Sequence, residues 1–305
     1  MRVMHPDRLA VFAGLYAGLC FGIFWLPLRM LEQAGLGAPW ALALFMAIPA
    51  VMCLPVAWHL RRDYLRGGRA LIGGVLAGAA YAMYAASLLY TDVVRAVLLF
   101  YLMPIWGFAL GWAILGDRIT RSRWLAIGLG VVGMVVIFAD DTGLPLPRNL
   151  GDWLGLASGM FWAVGCMLIL NETRVRTATH AVSFFLVAAI LTVVVTLWST
   201  SAGLAQVPDS AALKAAALWF LPVALVLILP AGFATVYAPT RLNPGVVGLL
   251  FMTEIAVAAV TAAIWSGERF GIREVIGLPL ILSAGLIEPA VMTWRDRRAR
   301  VERAA

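Results

Sequence analysis

Apolar residues fill this chain in long windows separated by short polar stretches rich in arginine. The windows fall at 9–28, 39–60, 70–90, 94–115, 123–140, 151–170, 179–200, 215–237, 245–266 and 274–293. An α-helix needs about 20 residues to cross about 30 Å of hydrocarbon at about 1.5 Å per residue. Each window has that length and none shows the two-residue alternation of a half-buried strand. The pattern predicts ten membrane-spanning helices and an all-α, polytopic membrane fold. Pro222 and Pro230 interrupt the eighth window, and prolines in membrane helices mark kinks whose freed backbone groups find other partners.

The composition agrees. Of 305 residues, 63% are hydrophobic and 13% charged, about half the charged share of a soluble domain. The mean hydropathy is +0.92. A net charge of +7 would suit a nucleic-acid partner, but the basic residues sit in small clusters between apolar windows. That is the distribution of charge that orients membrane helices, and no nucleic-acid partner is expected. With the N-terminus in the cytoplasm, 17 of the 23 Lys and Arg residues lie on the inner side and six on the outer. The count places both termini in the cytoplasm. The first window follows Arg2 and Arg8 as a signal peptide would, but it is too long and has no clear small-residue cleavage site, so it is read as retained. Cys20, Cys53 and Cys166 all lie inside apolar windows without metal-ligand spacing, as small buried hydrophobes do.

One stretch is written twice. Gly14, Gly18 and Gly22 recur as Gly151, Gly155 and Gly159, each displaced by 137 residues, and Trp25 and Trp162 close the two copies. Glycines four apart share one helix face and let another helix backbone come close, so these six are read as helix-packing residues. A second correspondence pairs Gly116-Asp117-Arg118 with Gly267-Glu268-Arg269, each between an apolar and a glycine-bearing window. Its offset of about 150 implies an insertion in the second half, most naturally in the polar loop Ser199–Ala212. Five spans per half is an odd number, so the second copy enters the membrane with opposite polarity. The expected organisation is two inverted five-helix repeats, 1–143 and 144–305, the second ending in a basic cytoplasmic tail.

These signals resemble the drug/metabolite transporter superfamily, in its ten-helix EamA-like branch. The resemblance covers nearly the whole chain and rests on the two glycine–tryptophan openings and the two Gly-acid-Arg turns. This chain departs after Trp25, where Leu26-Pro27-Leu28 stands in place of the more usual Gly-Ser. The resemblance implies a basket of helices around a central cavity in a bacterial inner membrane. It also implies secondary transport, with export of amino acids or other small metabolites as the family-level expectation. Uptake or efflux of drugs or other metabolites, a non-transporting scaffold and an integral-membrane enzyme are the alternatives.

Chemistry inside a bilayer starts from its charges, since a bare one is costly there. Glu254 stands near the middle of the ninth window, with Thr261 two turns further along the same face. It is the candidate for proton coupling and for contact with a substrate amine, against the alternative of a protonated carboxyl bonded to backbone. Arg95 behind Asp92, Glu288 before the basic tail, and Arg29 with Glu32 read as interfacial ion pairs. Tyr81 and Tyr84 share one helix face, and Tyr101 and Trp106 flank Pro104. With Trp25, Trp162 and Glu254, the rings of Tyr81, Tyr84 and Tyr101 form the candidate substrate-binding set. Packing and interface positions are the alternative for each ring. A ring-lined cavity with few charges favours amphipathic or aromatic small molecules.

Enzyme signatures are missing. No Walker A or His-Glu-x-x-His motif occurs, and Ser158 stands one position too late for a nucleophile elbow. His5, His59 and His180 fall near predicted helix ends, apart from one another, and the Asp140-Asp141 pair reads as a solvated turn. Asn171-Glu172-Thr173 has the form of a glycosylation site but falls on the predicted inner side. The expected partners are a small-molecule substrate and the lipid bilayer. No cofactor, metal site or catalytic residue is expected, and the unit is a monomer or a homodimer.

Overall fold

The structure, a computed structural model, describes residues 8–91, 93–116, 120–138, 147–170, 172–265 and 271–304. Asp92, Asp117, Arg118, the Asp140-Asp141 pair, Asn171 and the turn Gly267–Arg269 lie outside the described residues, as do the side chains of Arg95 and Glu288.

Among the described residues every regular element is helical. In chain order these are α1 (Arg8–Ile23), α2 (Trp25–Leu31), α3 (Ala38–His59), α4 (Arg61–Gly67), α5 (Ile72–Tyr90), α6 (Val93–Phe100), α7 (Met103–Leu115) and α8 (Arg121–Phe138). Then follow α9 (Leu150–Ile169), α10 (Thr177–Ser201), α11 (Ser210–Val223), α12 (Leu229–Tyr237), α13 (Pro244–Phe251), α14 (Thr253–Trp265) and α15 (Ile272–Ala304). Six continuous stretches are long and apolar enough to cross a membrane: Arg8–Leu36, Ala38–His59, Arg61–Leu88, Leu150–Ile169, Thr177–Ser201 and Ser210–Thr240. Met103–Leu115, Pro244–Ala258 and Val275–Ile287 are shorter apolar helices. The exterior is apolar too, with Leu54, Val132, Val194, Leu218 and Val226 exposed. An outer shell of this kind suits lipid, where only helices or closed barrels satisfy their own backbone groups.

The boundaries differ from the sequence expectation where helices bend rather than stop. Two five-residue π-helical turns, Glu32–Leu36 and Ala224–Ile228, prolong the first and eighth segments. The latter lies just before Pro230, which has no N–H to offer the Val226 carbonyl. Gly35 (φ +90°) and Gly37 (φ +71°) then allow the reversal into α3. Between α10 and α11 only residues 202–209 remain non-helical, a shorter loop than the sequence suggested.

Helix packing depends on small residues. Gly73 and Gly165 face each other across α5 and α9; a Cβ on either would lie 3.1 Å from the other's carbonyl oxygen. On α1, a Cβ at Gly14 would come within 2.7 Å of Leu250, at Gly18 it would overlap the Thr253 hydroxyl, and at Gly22 it would stand 2.6 Å from Val257. The second glycine face behaves alike against other backbone. A Cβ at Gly151 would lie 2.6 Å from Tyr90, at Gly155 3.2 Å from the Ala96 carbonyl, and at Gly159 2.6 Å from the Phe100 carbonyl. One face therefore seats α13–α14 on α1, and the other seats α6 on α9.

Candidate functional site

The two segments seated on these glycine faces are both broken in mid-run. In the first, Pro104 has no N–H to offer the Phe100 carbonyl, and the Ile105 N–H donates to Leu102 at 3.0 Å instead of to Tyr101. In the second, the Ile255 N–H donates to Met252 at 3.1 Å, which deprives the Phe251 carbonyl of its usual donor. Buried carbonyls need partners. The Thr253 hydroxyl donates to the Leu250 carbonyl at 2.7 Å and the Tyr101 hydroxyl to the Phe251 carbonyl at 3.4 Å. The two broken segments also cross: a Cβ at Gly107 would meet the Gly245 backbone at 2.5 Å, and one at Gly248 would meet Pro104 at 2.9 Å.

Glu254 sits in the first turn of α14, directly after the break. Its near neighbours are the phenols of Tyr81 and Tyr84 from α5 and of Tyr101. Tyr81, Tyr84 and Glu254 lie deep in the bundle and yet are only half-buried. Glu254 is the common neighbour of the three phenols. Further rings close around it. Phe100 lies 4.6 Å from Tyr84 and 5.2 Å from Tyr101, centroid to centroid, while Phe184 lies 5.9 Å from Tyr81. Trp162 packs 5.7 Å from Phe251 and 6.4 Å from Phe184, and its buried indole N–H has no acceptor among the described residues.

The structure thus brings together five of the six residues of the candidate binding set. Trp25 stands apart: its indole N–H donates to the Thr261 hydroxyl at 2.9 Å, two turns along α14 from Glu254, and links α2 to α14. Three ring residues of the site, Phe100, Phe184 and Phe251, were not singled out from the sequence. Neither break was singled out from the sequence; the first falls at Pro104, whereas the second has no proline. Among the described residues no group of His, Cys, Asp and Glu could hold a metal ion.

A polar cluster closes one end of the bundle. Asp63 of α4 accepts hydrogen bonds from the Thr179 hydroxyl at 2.7 Å and the Arg176 N–H at 3.2 Å, and pairs with the Arg176 guanidinium at 3.4 Å. An acidic group there also suits the positive N-terminal end of α10. The Tyr64 hydroxyl donates to the Thr179 carbonyl at 3.3 Å. Beside them Glu172 accepts from the Arg174 backbone N–H at 2.7 Å and from its guanidinium at 2.5 and 3.0 Å. These charge-assisted bonds hold the Glu172 carboxyl down to about 2, from an ordinary 4.5. Their contribution to stability is complete above the ordinary value and disappears as pH falls through about 2.

Comparison with known proteins agrees with this architecture. Residues 8–139 match the EamA-like transporter family. A protein of Archaeoglobus fulgidus described as an uncharacterized transporter is 25% identical over 245 residues, 77% of this chain and 80% of its own length. The uncharacterized transporter YwfM of Bacillus subtilis is 28% identical over 44% of this chain and 46% of its own. Protein RarD of Streptomyces exfoliatus is 32% identical over 26% of this chain and 27% of its own. One crystal structure superposes on 94% of this chain and 98% of its own with a TM-score of 0.71 at 16% identity, a likeness of fold. With its helical, lipid-suited exterior and a match to the EamA-like transporter family through its first half, the chain is a multi-pass membrane protein similar to membrane transporters of that family.

Proposed function

We propose that this chain is a secondary carrier of a bacterial inner membrane, with ten spans, both termini cytoplasmic and two inverted repeats, 1–143 and 144–305. It exports small metabolites with an apolar body and an amine, amino acids among them, by alternating access. The observation that carries the reading is Glu254: one carboxyl among Tyr81, Tyr84 and Tyr101, where two broken helices cross.

The repeat is supported by how helices pair. Exchanging the two halves turns the α1–α13 contact into α9–α6, α1–α14 into α9–α7, and α1–α12 into α9–α5. The pairs α3–α10 and α8–α15 each map onto themselves, as does the crossing of the segment α6–α7 with the segment α13–α14. An axis relating two halves of opposite polarity generates such a set. In this scheme one repeat rocks against the other, and the glycine faces of α1 and α9 are the close moving contacts. Glu254 takes a proton on one side and exchanges it for a substrate amine on the other, each neutralising the carboxylate at bilayer depth.

The test is counterflow in proteoliposomes loaded with a mixed amino-acid pool, with and without a pH gradient. Release of a few apolar or aromatic members, driven by the gradient, is the expected result. In Glu254→Gln the protein folds and the pH response is lost. A wild-type response over the whole pH range in that variant would sink the coupling role, and no release of any member would sink the substrate class.

A further inference from the structure

The two broken helices of this carrier meet at one side chain. Tyr101 lies in the break between α6 and α7, and its hydroxyl reaches the break between α13 and α14, where it donates to the Phe251 carbonyl. At 3.4 Å this bond is long against the roughly 2.7–2.8 Å usual for hydroxyl donors. The Glu254 carboxyl, three residues on from Phe251, adjoins the same hydroxyl. A phenol has one proton to donate, so the two acceptors compete for it. An ionised carboxylate is a stronger acceptor than a peptide carbonyl, and a protonated or amine-paired carboxyl is a weaker one than the free carboxylate.

We propose that Tyr101 is a positioning residue that converts the charge of Glu254 into the geometry of the α13–α14 break. It donates to the carboxylate when the site is empty, and to the Phe251 carbonyl when a proton or substrate amine neutralises the site. The inference rests on the loading role given to Glu254 above. Its consequence for the backbone is direct. Once the hydroxyl leaves, the Phe251 carbonyl has no partner in a medium without water, and its nearest remedy is the Ile255 N–H, now on Met252. Retaking that bond straightens the segment. Glu254 is where α14 touches α1: a Cβ on Gly22 would lie 2.8 Å from the Glu254 carbonyl, and one on Gly18 3.5 Å from its N–H. A change of pitch at the break therefore moves α14 along the α1 glycine face. The titratable groups around this switch are Glu254, Tyr81 and Tyr84 from α5, and Tyr101 itself. The facing surface of α1 is glycine, and that of α9 includes the non-ionising Trp162.

Tyr101→Phe keeps the ring and its packing on Phe100 while deleting the hydroxyl. Two readouts on protein in lipid separate the switch from simple packing. Infrared difference spectra follow the protonated carboxyl of Glu254, assigned by its loss in Glu254→Gln, and report that the site is folded and titrates. Amide hydrogen exchange at residues 253–257, at matched intrinsic rates, follows the break. In the wild type the protection of these amides changes as the carboxyl titrates. In Tyr101→Phe the carboxyl still titrates, and the pH dependence of protection is lost. A variant that retains the wild-type pH-dependent exchange overturns the inference and leaves the role of Glu254 standing. Wild-type exchange and transport in Glu254→Gln overturn both.

Discussion

At the scale of single residues, identical glycines do different work according to what lies opposite. At Gly18 a Cβ would overlap the Thr253 hydroxyl, which holds the freed Leu250 carbonyl, so bulk there disturbs a helix break and not only a packing contact. Gly128 on α8 has nothing within 4 Å of an added Cβ. Gly18→Ala is expected to lose about 1–3 kcal/mol by overpacking. Gly18→Leu is expected to fail to assemble, and Gly128→Ala to melt with the wild type; thermal unfolding in detergent with size-exclusion profiles measures all three. The two glycine faces could be read from their repetition, and Glu254 from its isolation in an apolar window. Phe100, Phe184 and Phe251 could not, because one phenylalanine among many apolar residues has no signature until neighbouring helices bring its ring against Tyr81, Tyr84, Tyr101 or Trp162. Trp25 shows the converse: its place in the repeat matches Trp162, but the nearby Thr261 hydroxyl takes its N–H.

For whole elements, hydropathy located the helical segments closely and said little about their interruptions. A window of about 20 residues averages over a break of one or two, so α13 and α14 read as one helix although the Ile255 N–H has turned to Met252. The end of α10 was equally hidden in the sequence, since the acid that serves it comes from α4. Asp63 accepts from both the Arg176 N–H and the Thr179 hydroxyl, and no capping residue of α10 itself does so. Asp63→Ala is therefore expected to loosen the first turn of α10 by about 1–2 kcal/mol. Hydrogen exchange at residues 176–180 should rise by about ten-fold or more, while α3 and α9 stay protected. Unchanged exchange in that turn would mean that α4 merely lies beside it.

Across the whole molecule, the proposed repeat has one chemical asymmetry. Glu254 has no acidic counterpart in the first half, where the broken segment has Met103 and Pro104 in the corresponding stretch. The carrier thus holds one ionisable acid midway along the run Pro244–Trp265, not a symmetric pair. This has an electrical consequence. A unit charge crossing the whole membrane works against about 2.3 kcal/mol per 100 mV, and one at mid-depth experiences about half of that. In the proposed cycle, a Glu254 neutralised by a proton or a simple amine would turn from one face to the other free of this load, whereas the bare carboxylate would not. Counterflow, in which the site is always occupied, should therefore run at the same rate whatever diffusion potential is imposed with potassium and valinomycin. Net efflux, which includes the return of the empty site, should change with that potential, so that membrane voltage acts on this carrier only through the half of its cycle in which it carries nothing.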